Sequence, residues 1–217
     1  MKPQKNKINC ILSDTHCGSD RAIFPPVITL PKLMADDNER TLRYTNNQKK
    51  IYEHLMFCAK HIKSKYKDHQ KIIIHNGDAI EGVHHRTIQL SAPMPEDHVL
   101  IHQQVMETFL HEIGFSVKNG DELHYSSGTE THTGWTESSI VRYFESYGAK
   151  FHDELKLKQY EKTLWFAHQW RNVGNGANES SPINNGLKDM YYNSIKEGWQ
   201  MPDITVGSHY HKAAVGS

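Results

Sequence analysis

The chemistry-bearing residues of this chain are histidines and carboxylates that recur just beyond short apolar runs. Asp14 and His16 follow "KINCILS", and Asp78, preceded by Gly77, follows "KIIIH". Thr129, Glu130 and His132 come after "ELHYSS" and Gly128. His168 closes the "LWFA" run, and His209 and His211 stand in "GSHYH" after "DITVG". In extended chain, residues i and i+2 point to the same side. Asp14 and His16 can therefore grip one ion, and His209 and His211 can grip one ion or two adjacent ones. Gly77 lets the backbone approach closely where Asp78 turns in. Imidazole mixed with carboxylate suits zinc, manganese or iron better than calcium. With Cys17 the only thiol nearby, a structural zinc knot is disfavoured. A lone D-x-H or H-x-H is a weak signal, and an Asp after Gly is often a turn or cap residue. The repeated order of strand, then ligand, makes the combination specific.

The elements that must gather these groups alternate between strand and helix. Apolar patterning predicts strands at 7–13, 71–75 and 122–127, two strand-like runs within 150–168, and a last strand at 203–207. Helical spacing predicts helices at 47–66, with Asn46 or Asn47 as cap, and at 96–113. Further helices are expected at 136–148, between Thr136 as cap and Gly148 as stop, and at 187–197. Residues 83–95 and 171–186 read as loops. Residues 20–45, with Pro25, Pro26 and Pro31, read as a flap insertion with little regular structure. The class is α/β, with a single domain over 1–217. In an α/β sheet ligands bind at the carboxyl ends of the strands, and every group named above falls on that edge.

Composition sets outer limits. The 217 residues suffice for a real core. Lys plus Arg and Asp plus Glu balance at 25 each, so net charge supports neither strong nucleic-acid binding nor membrane attraction. Three cysteines, Cys10, Cys17 and Cys58, give no disulfide framework and read as free thiols in a reducing compartment. The N-terminus "MKPQKNKINCILSD" turns polar before a signal sequence could form, and no apolar stretch approaches a membrane span. The expectation is a cytoplasmic protein without a membrane partner. Histidine is the outlier, with sixteen copies.

The motifs "SDTHCG", "NGDAIEG", "AHQW" and "GSHYH", in this order across residues 14–211, resemble those of the calcineurin-like metallophosphoesterase superfamily. "NGDAIEGVHHRT" with "GTETHTG" is similar to its phage-associated bacterial members. The resemblance implies a two-sheet α/β sandwich flanked by helices and two divalent ions (manganese, iron or zinc). It implies a first metal site of Asp14, His16, Asp78 and His211, and a second of Asp78 as bridge with His168 and His209. It further implies hydrolysis of phosphomono- or diesters by a hydroxide held between the ions, with His132 as catalytic histidine and Asp78 taking part. The chain departs from the family where "GTETHTG" lacks an asparagine ligand. Glu130, Thr129 or water could fill that place, and Glu130 is favoured because a carboxylate binds a cation better than a hydroxyl. His132 stands two residues later than the motif predicts. Only six residues follow His211, fewer than most members carry.

Near the Gly77-Asp78 motif, His84, His85 and Arg86 are candidates to bind substrate, with Arg86 as a bidentate clamp on phosphate. Asn76 reads as a turn residue and Arg171 as a surface residue. His75 reads as structural. His54, His61, His69, His98, His102, His111, His124 and His152 are assigned to packing or solvent. Trp165, Phe166 and Trp170 are assigned to the core. The functional expectation is a dinuclear metal phosphoesterase acting on a phosphate ester, with nuclease activity left open. The alternatives are a non-catalytic metal-binding interaction module with an incomplete second site, and a hydrolase using the same metals on another bond.

Overall fold

The structure, a computed structural model, describes residues 6–35, 37–83, 88–130, 132, 136–170, 180–211 and 215. Strands β1 (Lys7–Leu12), β4 (Gln70–Asn76), β5 (Glu122–Ser126) and β6 (Lys150–His152) form one parallel sheet in the order β1-β4-β5-β6. Helices α1 (Asn46–Lys65), α2 (Pro95–Ile113) and α3 (Thr136–Tyr143) lie between successive strands of this sheet, as parallel pairing requires. A three-stranded sheet holds β7 (Leu155–Gln159), β8 (Lys162–Ala167) and β9 (Ile204–Gly207), with β8 and β9 parallel. A fourth helix, α4 (Ser181–Glu197), precedes β9. The chain is thus mixed α/β, as its alternation implied.

Strand β4 shows how one sequence serves two cores. Ile73 packs into the main cluster with Val105, Phe109 and Leu123, whereas Ile72 and Ile74 pack with Leu155 and Phe166 of the second sheet. Period-two alternation sends neighbouring isoleucines to opposite faces, and both faces are covered. The near-continuous apolar run of a central parallel strand follows.

Several elements differ from expectation. Residues 20–45 are not an irregular flap. They contain an antiparallel hairpin, β2 (Val27–Leu30) with β3 (Arg40–Arg43), whose Ile28 and Leu30 are buried. The Arg40 guanidinium donates both ends to the Asp97 carboxylate at 2.9 Å, and Gln104 Nε2 donates to the Val27 carbonyl, so α2 holds the hairpin. Helix α1 is capped by Thr45 and not by Asn46 or Asn47, through reciprocal bonds between Thr45 and Gln48. Helix α4 starts six residues earlier than expected, at Ser181, with Pro182 in its first turn. The 150–168 region holds three strands, because the chain leaves the first sheet after His152 and enters the second at Leu155.

The three thiols are free, with Cys10 and Cys17 buried; burial pushes Cys17 up to about 12. Among the described residues no helix is long and apolar enough to cross a membrane.

Candidate metal centre

The backbone beyond β1 continues beside the backbone beyond β4. Asp14 N–H donates to the Gly77 carbonyl at 3.0 Å, and His16 N–H to the Asp78 carbonyl at 3.1 Å. Beyond β8 and β9 the same happens, with Ser208 N–H donating to the His168 carbonyl at 2.9 Å. Asn76 ties the two sheets together. Its Nδ2 donates to Ser208 Oγ at 2.8 Å, and its Oδ1 accepts from Ser126 Oγ at 2.7 Å. It is a fully buried bracket rather than a turn residue.

These strand ends converge. Asp14, Asp78, His168 and His209 form one group whose ligand atoms lie within 4.8 Å of one another, and Asp14, His16 and His211 form a second. Asp78 Oδ2 is 2.9 Å from His168 Nε2, 3.8 Å from His209 Nδ1 and 3.9 Å from His16 Nε2. Asp14 Oδ1 is 3.1 Å from His211 Nε2 and 3.9 Å from both His16 Nε2 and His168 Nε2. Two donors each about 2.1 Å from a shared ion are separated by roughly 3–4 Å. The longer separations here exceed a hydrogen bond but match that spacing.

The local backbone is strained where the ligands sit. Among the described residues, seven non-glycine residues have positive φ, and five of them are Asp14, His16, Asp78, His209 and His211. The other two, Tyr160 and Glu161, make the turn between β7 and β8, where positive φ is ordinary hairpin geometry. Left-handed aspartate and histidine side by side are unfavourable and cluster at functional sites. Gly77, with φ +85°, also provides clearance: a Cβ there would sit 2.5 Å from the His168 ring.

His168 is oriented as a metal ligand would be. Its Nδ1 lies 2.7 Å from the Asn76 carbonyl, which can only accept, so Nδ1 carries the proton. Its Nε2 is buried without an aligned hydrogen-bond partner and faces Asp78 and Asp14. Burial disfavours a charged His168, but the Asp78 carboxylate, the Asn76 carbonyl and Asp14 outweigh it and raise the imidazole. Burial likewise opposes ionisation of Asp78, but His168, the Thr129 amide and His16 hold that carboxyl well below the usual range. His16 is raised too: burial opposes it, and Glu81, Asp78 and Asp14 prevail.

Other expected residues fall differently. Glu130 is exposed and is in none of the groups that could hold a metal ion. Thr129 faces Asp78 instead, donating N–H at 2.7 Å and Oγ1 at 3.0 Å to Oδ1. His132 lies over the edge of the cluster, its ring 4.6 Å from that of His16, and it forms a third group with His16 and Glu81. His84, His85, Arg86 and Arg171 lie outside the described residues. Phe166 is core, but Trp165 and Trp170 are half-buried and meet edge-on. His75 is buried and stacks on Tyr125.

Two acids were invisible to sequence reasoning. Glu81 lies 3.0 Å from His16 Nδ1; its only signal was its place inside "NGDAIEG". Glu137, in the first turn of α3, is 1% exposed and accepts from Ala79 N–H at 3.0 Å and from Gly128 N–H. Burial pushes it up to about 7, against the pull of those two amides.

A cavity of 930 Å³ opens from the cluster and runs along β1 toward α1. Every residue from Ile8 to His16 lines it, so it follows the strand's edge, with Ile51, Leu55 and Ile62 of α1 opposite. No protein-family model matches this chain, and no curated protein matches it.

Proposed function

We propose that the chain is a divalent-metal-dependent phosphoesterase of the calcineurin-like metallophosphoesterase type. The observation that carries the reading is the convergence of Asp14, His16, Asp78, His168, His209 and His211, from four strand ends, within co-ligand distance of one another. The order of the four motifs and the packing of the parallel sheet between helices and a second sheet support it further. The Nε2 of His168, buried 2.9 Å from Asp78 Oδ2, fits a cation in particular, since its other nitrogen is already committed to the Asn76 carbonyl.

Asp14, His16 and His211 would hold one ion, and Asp78, His168 and His209 the other, with Asp14 common to both groups and Asp78 Oδ2 3.9 Å from His16 Nε2. Bound divalent cations supply Lewis acidity toward phosphoryl oxygens and acidify coordinated water. The protein's part is to hold the donors rigid. Asn76 sets the His168 tautomer, and Thr129 saturates one Asp78 oxygen. His132, beside His16 at the rim, is placed to give a proton to a departing alkoxide.

The test is hydrolysis by the Mn²⁺-loaded protein across phosphomonoesters, phosphodiesters, nucleotides and single- and double-stranded DNA. The expected result is turnover of at least one ester class. Asp78→Asn should reduce it by roughly 10³-fold, the scale of losing a principal electrostatic stabiliser, with the fold retained. Uptake of one ion with no hydrolysis of any ester would instead favour a binding module.

A further inference from the structure

We infer that Glu137 is a positioning residue of this centre: it clasps the loops after β4 and β5 so that Thr129 is held against the Asp78 carboxylate and fixes the aim of Oδ2 toward the cations. The inference rests on the metal-centre reading above and assigns what replaces the missing asparagine.

The geometry is a closed relay. Glu137 Oε1 accepts from Ala79 N–H, the residue after Asp78, and Oε2 accepts from Gly128 N–H, the residue before Thr129. One buried carboxylate therefore fixes the separation of the two loops. They are pressed so close that a Cβ at Gly128 would collide with the Asp78 backbone and carboxylate. That approach delivers Thr129 N–H to Asp78 Oδ1 at 2.7 Å and sets Thr129 Oγ1 against both carboxylate oxygens, 3.0 Å from Oδ1 and 3.2 Å from Oδ2. Oδ2 is left pointing at His168, His209 and His16.

The chemistry explains why a carboxylate is needed. Two backbone N–H groups that point into a dry interior require two acceptors, and a glutamine offers one oxygen and one donor. A carboxylate buried at 1% exposure is costly, and the two amides offset only part of that cost. Thr129 commits its hydroxyl proton to the Asp78 carboxylate. The second ion then relies on the aim of Asp78 Oδ2 in place of a further protein ligand.

The experiment is Mn²⁺ titration of the full chain by calorimetry, with electron paramagnetic resonance to separate isolated from spin-coupled ions. The wild type should take up two ions and develop the coupled signal. Glu137→Gln, folded by near-UV circular dichroism, should keep the tighter ion and bind the second about 10- to 100-fold more weakly, the usual cost of losing a partner behind a ligand. Its coupled signal should emerge only at correspondingly higher Mn²⁺. A folded Glu137→Gln with wild-type second-ion affinity and signal overturns the clasp while leaving the metal centre standing. Should Glu137→Gln not fold, Thr129→Val breaks the same relay further along. A weaker second ion supports the clasp, and unchanged affinity overturns it. A wild type that binds a single ion overturns the dinuclear reading and the clasp together.

Discussion

His102, on α2, and His168, just past β8, are both almost fully buried, at 0% and 3% exposure, yet their imidazoles are driven in opposite directions. Burial lowers His102 to about 3. Its ring nitrogens meet the Tyr125 hydroxyl at 3.1 Å and, more distantly, Thr15 Oγ1, and among the described residues no carboxylate neutralises a proton there. His75, beside it, is lowered by burial and by His102. Burial opposes the charged form of His168 too, but it faces Asp78 and Asp14, which reverse the effect. Burial alone makes a neutral packing residue. A histidine suited to a cation needs a carbonyl on one nitrogen and carboxylates in front of the other.

The strongest test of that contrast exchanges the two fates. His168→Ala should lower Mn²⁺-dependent hydrolysis per folded molecule by roughly 10²- to 10³-fold. His102→Leu should leave it within about twofold. It should instead destabilise the protein by about 1–3 kcal/mol, because Tyr125 loses its buried partner. Urea unfolding and steady-state kinetics on both variants read this directly. A dead but fully stable His102→Leu would break the distinction.

The pH dependence sharpens it. His102 has a folded value near 3 against an ordinary 6.5, so the unfolded chain binds the proton first as pH falls. Its stabilising effect is whole above about 6.5 and is lost as pH drops toward 3. Across that window one such group makes stability fall by about 1.4 kcal/mol per pH unit. In His102→Leu the acid limb of a plot of stability against pH should be shallower by about that slope between pH 5.5 and 4.5. An unchanged slope would show that His102 is not buried neutral. His16 and His168, raised in the fold, work the other way: what they add is present below about 6.5 and fades as pH rises through their folded values.

The smallest effect concerns strain. Glu161, with φ +64°, shares left-handed backbone with the cluster but sits in a hairpin turn. Glu161→Gly should stabilise the protein by up to about 1 kcal/mol in urea unfolding, with metal uptake unchanged. Altered Mn²⁺ stoichiometry in that variant would contradict the separation between turn strain and site strain.

The convergence of these strand-end residues was legible because the signal was local. Asp14 with His16 and His209 with His211 are two residues apart directly after apolar strands, and extended geometry does the rest. The tertiary brackets were not legible. Glu137 sits where any helix welcomes an acid, in its first turn, so its sequence context is unremarkable. Which of Thr129 and Glu130 faces Asp78 depended on one residue of turn register, which the sequence alone does not give. The β2–β3 hairpin was hidden by three prolines, although Val27–Leu30 alternates exposed and buried as a strand should. Asn76 became a bracket only because a second sheet, distant in sequence, arrives at its side chain.

Five strained residues on one edge also set how the chain would respond to mutation under different demands. A variant library sorted for thermal resistance alone should accumulate glycine and asparagine at positions 14, 16, 78, 209 and 211, since those residues tolerate left-handed backbone more cheaply. A library sorted for catalytic turnover should keep them as they are. Robustness and ion binding would then pull this edge in opposite directions.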